Sequence, residues 1–280
     1  VETHTIEAFM QDGKALQAGT SHFLGQNFSK AANIKFQTND GSEEFAFTTS
    51  WGVSTRMIGA LIMTHGDDDG LRVPPTVAPH QIVILPIARD DEAAARVMPV
   101  AHELAKKLNG QTAFGEPVRA HVDNRDINAG EKRWSWVKKG VPLIVELGPK
   151  DLDKSSVMLT RRTDIYAKAP EDMDVFVGAV PEHLQAIQKT LYNEALSLRD
   201  GRIETGITDF EAFKKYFATE DSTKLGFVRA KWCGDKDSEE KLKDLSVTIR
   251  CLPYDQNGAE GKCVITGKPA TIEAIFAKSY

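Results

Sequence analysis

Residues 80–87, HQIVILPI, constrain the fold more than any other stretch, because a near-continuous apolar run is the mark of a strand covered on both faces. Residues 90–109 then read as a helix with Ala94, Val97, Ala101, Leu104 and Leu108 on one stripe, and Pro99 is expected to kink or divide it. Residues 118–122 form a second strand, 128–139 a second helix with Trp136 facing inward, 141–147 a third strand and 155–161 a fourth. Strands alternating with helices imply a largely parallel α/β sheet. Pro74-Pro75 and Pro79 form a stiff, helix-free connector ahead of it, expected to mark a domain boundary.

A second informative stretch precedes that connector. Residues 43–49 alternate, with Phe45 and Phe47 on one side, so a strand with one buried face is expected there, stopping ahead of a turn at Trp51-Gly52. Ser54 and Thr55 can cap the following helix, whose interior MIGALIM is apolar nearly all round and is expected to be buried. Arg56 in the first turn sits at the wrong end of the helix dipole and needs a partner. That partner is either a buried carboxylate or a ligand: a flat base stacked on the guanidinium or a phosphate in its fork. Upstream, Gln17, Thr20, Ser21 and His22 make a compact polar cluster beside Gly19, in a part of the chain that reads as antiparallel sheet. Taken alone, His22 reads as a structural histidine.

Charge and composition exclude some classes. The net charge of −5 does not mark a nucleic-acid binder, yet residues 119–168 carry 11 Lys/Arg against 7 Asp/Glu, while residues 1–78 carry 5 against 9. The basic surplus is local. No apolar run approaches the roughly 20 residues of a membrane span, and the start lacks the charged flank and apolar core of a signal peptide. Three cysteines argue against a disulfide framework and fit a reducing, cytoplasmic setting. There is no Gly-x-Gly-x-x-Gly, Walker lysine or Gly-x-Ser-x-Gly, which leaves an unrelated α/β small-molecule enzyme without support.

The run SWGVSTR at residues 50–56, the helix after it and its HGDDDGLRVPP exit resemble motif 3 of a class II aminoacyl-tRNA synthetase, in the prolyl branch of the archaeal and eukaryotic type. Residues 16–28, LQAGTSHFLGQNF, are similar to the segment just before motif 3 in that family. The resemblance implies a fold of mixed α+β and α/β class: part of an antiparallel-sheet catalytic domain in 1–78, an anticodon-binding α/β domain in 79–178, and a C-terminal prolyl-synthetase-type domain in 179–280. It implies that Gln17, Thr20 and Arg56 bind ATP, with Arg56 stacked on adenine. His22, Trp51, Gly52 and Ser54 would line the proline pocket. In the α/β domain it implies tRNA anticodon contacts from Arg125, Lys132, Trp136, Glu146 and Lys150. One residue is missing before Gly130, and Glu131 stands where the family usually has an aromatic.

Residues 181–201 read as a helix with Pro181 in its first turn, and Thr208-Asp209-Phe210-Glu211 as a capping box opening a helix with Phe210, Phe213 and Phe217 on one face. Strands at 225–232, 247–252 and 271–277 and a helix at 238–245 complete a small, zinc-knuckle-like α+β module. The family holds zinc there on four cysteines; here Cys233 and Cys263 remain, with Ser238 and Thr266 at the other two places. Two thiolates cannot close a tetrahedral site, so zinc is not expected. By the same resemblance the terminal Tyr280 reaches back toward the active site.

The activity implied is ATP-dependent activation of proline, with Mg2+, and transfer to proline tRNA, by a homodimer in the whole protein. Motifs 1 and 2, which lie upstream in the family, are absent from these 280 residues, so the isolated chain is expected to be poorly active. A non-catalytic tRNA-binding fragment or paralogue is the alternative.

Overall fold

The computed structural model describes residues 2–280 and divides into two compact units, one made of the chain up to Thr64 together with Leu198–Tyr280, the other of His65–Ser197. The boundaries expected at 78/79 and 178/179 coincide with neither junction.

The first unit begins with β1 (Glu2–Phe9) and β2 (Ala15–Gly25), which pair antiparallel through a turn at Gly13. Gly13 has φ +77°, and a Cβ there would lie 2.1 Å from the Leu225 carbonyl oxygen, so only glycine lets the turn approach that later segment. Short α1 (Asn27–Ala31) leads to a two-stranded ribbon of β3 (Lys35–Gln37) and β4 (Glu43–Phe45). The single strand expected over 43–49 is divided between β4 and β5 (Thr48–Val53), and β5 runs on through Trp51-Gly52 because its ladder with β2 continues to the pair Gly19 and Val53. α2 (Arg56–His65) follows as expected, but its burial differs: Ala60 alone is buried, packed with Met10, Leu16, Ala18 and Met63, while Met57, Ile58 and Ile62 are exposed.

The second unit is organised on β6 (Ile82–Pro86), all five residues of which are buried. α3 (Asp91–Asn109) runs unbroken past Pro99, capped by the Asp90 carboxylate on the Ala93 N–H at 2.8 Å. A small β7 (Thr112–Ala113) and β8 (Glu116–Pro117) ribbon precedes β9 (Ala120–Val122). α4 (Ala129–Lys138), β10 (Leu143–Leu147), α5 (Pro149–Leu152), β11 (Ser156–Arg161) and β12 (Asp164–Asp172) follow. The sheet order is β12-β11-β10-β6-β9, with β10, β6 and β9 parallel and β11 and β12 antiparallel. Its closing helix α6 (Met173–Asp200) starts well before Pro181, because Asp172 accepts from the Asp174 and Val175 amides, both at 3.0 Å. Phe176, Val180, Leu184, Ile187 and Leu191 of α6 pack with Ile82, Val97 and Leu143, which is why this helix belongs to the α/β unit.

The chain then returns to the first unit through β13 (Ile203–Glu204), α7 (Phe210–Phe217), β14 (Phe227–Trp232), α8 (Lys236–Lys243), β15 (Val247–Cys251), the β16 (Gly261–Lys262) and β17 (Pro269–Ala270) ribbon, and β18 (Ile272–Lys278). The four-stranded sheet has order β13-β14-β18-β15. Asp209 rather than Thr208 caps α7, accepting from Ala212 N–H at 2.9 Å. Phe9 and Ala15 pack with Phe227, Ile275 and Ala277, which fuses the N-terminal hairpin to the C-terminal sheet. No helix among the described residues is long and apolar enough to cross a membrane.

Candidate functional site

Register sorts the side chains of the β1-β2-β5 sheet, since residues directly opposite one another project to the same face. One face carries Thr3, His22 and Ser50, then Thr5, Thr20 and Gly52, then Glu7 and Gln17. Gln17 reaches this face only because β2 bulges at Ala18: Ile6 pairs with Gly19 while Glu7 pairs with Gln17. Hydrogen bonds agree, from Thr3 Oγ1 to His22 Nδ1 at 2.9 Å and from Gln17 Nε2 to Thr5 Oγ1 at 3.4 Å. Three of the expected residues and Gly52 thus share one surface, and Gly52, where a Cβ would meet nothing within 4 Å, leaves that surface open.

The reverse face carries His4, Ser21 and Trp51, and Ile6, Gly19 and Val53. Val53 Cγ1 and Ile6 Cδ1 both lie within 4.0 Å of where a Gly19 Cβ would stand, which confirms the assignment. Trp51 is 78% exposed there, so it does not share a pocket with His22; alternation along β5 separates them. His4 bonds Tyr254 on this side. At the end of β5, the Ser54 hydroxyl accepts from the Arg56 amide at 3.3 Å, and Arg56 itself is exposed with no ion pair among the described residues. Of the two partners open from the sequence, no internal carboxylate pairs with it among the described residues. Tyr280 docks at the start of β2: its amide donates to Ala15 O at 3.2 Å, its hydroxyl bonds Asp12 at 2.5 Å, and Lys14 lies over its ring.

In the α/β unit the parallel strands β10, β6 and β9 present their C-terminal ends together, the edge at which open α/β sheets bind ligands. A cavity of about 570 Å³ lies there, lined by Arg89, Glu146, Lys150, Asp151 and Lys168 among others. Glu146 is held by Lys168 Nζ at 2.7 and 2.8 Å, with Arg133 3.5 Å away, while Lys150 is exposed. Arg89 and Lys168 were not singled out in the sequence; only the sheet order places them beside Glu146.

The other three expected contacts are engaged internally. Asp123, 1% exposed, accepts from Arg125 Nη2 at 2.6 Å and Nε at 2.9 Å and from Trp136 Nε1 at 2.8 Å. Lys132 is buried with its ammonium 3.4 Å from the Asp123 carbonyl. Burial opposes ionisation of Asp123, but the hydrogen bonds from Arg125 and Trp136 outweigh it and hold the carboxyl well below the usual carboxylate range. Trp136 and Lys132 are therefore core, and Arg125 offers only its outer edge.

The four zinc-family positions make a different set of bonds. Cys233 Sγ lies 3.4 Å from Thr266 Oγ1, and the buried Ser238 hydroxyl is taken by Trp232 Nε1 at 2.8 Å and the Asp235 carbonyl. Burial pushes the Cys263 thiol up, and hydrogen bonds from Thr266 and nearby amides more than reverse it. Two thiols with two satisfied hydroxyls do not fit a tetrahedral zinc.

Residues 81–186 match the family model of the anticodon binding domain, and residues 213–280 match that of the prolyl-tRNA synthetase C-terminal region. The fold is thus a mixed α/β one that includes an anticodon-binding domain. Curated proteins named proline–tRNA ligase are similar along the chain: 49% identical over 284 residues in Protochlamydia amoebophila, covering 99% of this chain and 56% of that protein. Another, from Paramagnetospirillum magneticum, is 50% identical over 279 residues, covering 100% of this chain and 56% of the relative. A third, from Bdellovibrio bacteriovorus, is 50% identical over 281 residues with the same coverage. The chain spans about half the length of these relatives.

Proposed function

We propose that this chain forms the C-terminal part of a proline–tRNA ligase of the archaeal and eukaryotic type, although the relatives above come from bacteria. The observation that carries the reading is the shared face of Gln17, Thr20, His22 and Gly52, with an exposed arginine at the start of the next helix. The three modules of the sequence, 1–78, 79–178 and 179–280, are proposed as functional divisions that differ from the compact units.

In the proposed reaction a proline carboxylate oxygen attacks the α-phosphorus of Mg2+-bound ATP, pyrophosphate leaves, and prolyl-adenylate forms. The 3′-terminal ribose hydroxyl of proline tRNA then attacks the carbonyl and AMP departs. No side chain need become covalently attached, so the residues act by placement and by stabilising charge. Arg56 stacks on adenine, Gln17 and Thr20 hold the nucleotide, and His22, Gly52 and Ser54 border the proline. Trp51, exposed on the reverse face, lies outside that set. Discrimination against amino acids that differ by a methylene is limited to about 10–200-fold. Glu146, Lys150 and the outer edge of Arg125 face the anticodon, with Arg89 and Lys168 alongside. The ligase is proposed to work in the cytoplasm as a homodimer and without zinc in the knuckle.

Proline-dependent ATP–pyrophosphate exchange and charging of proline tRNA, measured on the ligase that contains this chain, test the reading. Exchange specific for proline supports it. Binding of proline tRNA with no exchange for any amino acid would replace it by the non-catalytic RNA-binding alternative.

A further inference from the structure

Two bulges, 232 residues apart in sequence, aim side chains at the same spot. The bulge in β2 turns Gln17 onto the face of Thr20 and His22, and the β15 ladder skips Arg250, pairing Ile249 with Phe276 and Cys251 with Ile275. Arg250 donates from Nε at 2.8 Å and Nη2 at 2.7 Å to one oxygen of Glu7, Oε2, in a pair whose side chains are 13% and 5% exposed. The other oxygen, Oε1, accepts the Thr5 hydroxyl at 2.8 Å. The Gly19 carbonyl, at 3.4 Å, is the other acceptor for the Thr5 proton, so only lone pairs remain toward Gln17 Nε2 at 3.4 Å. Gln17 must therefore donate inward, which turns its carbonyl oxygen out toward the open face.

We infer that Arg250, Glu7 and Thr5 are positioning residues that fix the Gln17 amide, so that Gln17 accepts a hydrogen bond from a donor on the nucleotide, either an exocyclic amino group or a ribose hydroxyl. The inference rests on the nucleotide-site reading above. It assigns the C-terminal module a part in ATP binding through side chains rather than through the chain terminus.

Thr5→Val removes the hydroxyl at nearly constant shape and leaves the Arg250–Glu7 pair in place. In proline-dependent exchange it is expected to raise KM for ATP by about 5-fold, the worth of one hydrogen bond, with kcat and KM for proline unmoved. Gln17→Ala should give a similar rise, and Thr5→Val should add nothing in the Gln17→Ala background. Glu7→Gln should shift the same constant. ATP analogues lacking the 6-amino group or the 2′-hydroxyl identify the donor, because the Thr5→Val penalty disappears with the analogue that lacks it. Wild-type ligase without exchange would sink the underlying reading. Active wild type with an unchanged KM for ATP in Thr5→Val, or penalties that add to those of Gln17→Ala, would overturn this inference alone.

Discussion

In β6 every residue is buried, and in β5 none is, although both are central to their sheets' proposed sites. The same contrast holds for two arginines. Arg125 is bound through two nitrogens to an interior carboxylate, whereas Arg56 is exposed without an ion pair among the described residues. A charge already satisfied inside the fold contributes to holding that fold, and one left unsatisfied at an open face is available to a ligand. By this criterion the α/β unit stores most of its expected contacts as structure, while the β1-β2-β5 sheet keeps its polar groups presented.

The largest effect expected from this contrast is on stability. Asp123→Asn takes the anionic partner from Arg125 and turns one of the two oxygens shared by Arg125 and Trp136 into a donor, at a cost of about 3 kcal/mol. Urea unfolding followed by tryptophan emission measures it; a loss below about 1 kcal/mol would mean the network is not structural. The pH dependence has a definite sign. Because Asp123 is held below its unfolded value, its contribution is complete above the ordinary carboxylate range and is lost as pH falls through the folded pKa. Wild type should therefore weaken on acidification more steeply than Asp123→Asn.

Next in size, Arg56→Ala in the ligase should raise KM for ATP by about 2–30-fold, the worth of one guanidinium–base stack. Its Tm should stay at the wild-type value, since exposed substitutions outside packed features change stability by about 0.5 kcal/mol or less. A parallel fall in Tm would place Arg56 with Arg125, as structure, and erase the contrast between them.

What the sequence disclosed follows the same division. The apolar run at residues 82–86 announced a buried strand because every position there is interior, and residues 143–147 share that character except at Glu146, which lines the cavity. The helices opening near residues 90 and 128 were legible, as were Phe213 and Phe217 as core, while the capping roles of Asp90 and Asn128 come from the structure. The alternation of residues 43–49 misled, because Phe45 sits in a short ribbon and Phe47 is exposed, so neither lines a buried sheet face. α2 looked interior from its composition, yet composition does not specify what covers a helix. The early start of α6 depended on a single Asp172 carboxylate reaching two amides. For the site, motif resemblance pointed to Gln17, Thr20 and His22 together, but alternation alone would have put Gln17 and Thr20 on opposite faces. Only the bulge at Ala18 unites them, and an extra residue in a ladder has no signature in one strand's sequence.

A smaller pair of substitutions sharpens the burial contrast. Ile84→Val in β6 should cost about 1 kcal/mol through a lost methylene in a closed interior. Val53→Ala, at a position 74% exposed, should stay within about 0.5 kcal/mol. Equal losses at the two sites would show that the reverse face of the small sheet is covered in solution, and the comparison would then need a partner for that face.

The smallest effect lies at the cavity beside β6 and β10, where the two expected residues should fail differently. Lys150 is exposed, so it can meet a phosphate only as a point charge. Lys150→Ala should weaken proline tRNA binding by about 2–5-fold at low salt and reduce the slope of log K against log salt by about 1. Glu146 is neutralised by Lys168 and flanked by Arg133, so its carboxylate is oriented and suited to accept from a base edge. Glu146→Gln should leave the salt slope unchanged and instead narrow the difference between tRNAs with native and altered anticodons. If both substitutions change only the slope, the cavity holds backbone alone, and base reading must come from the outer edge of Arg125.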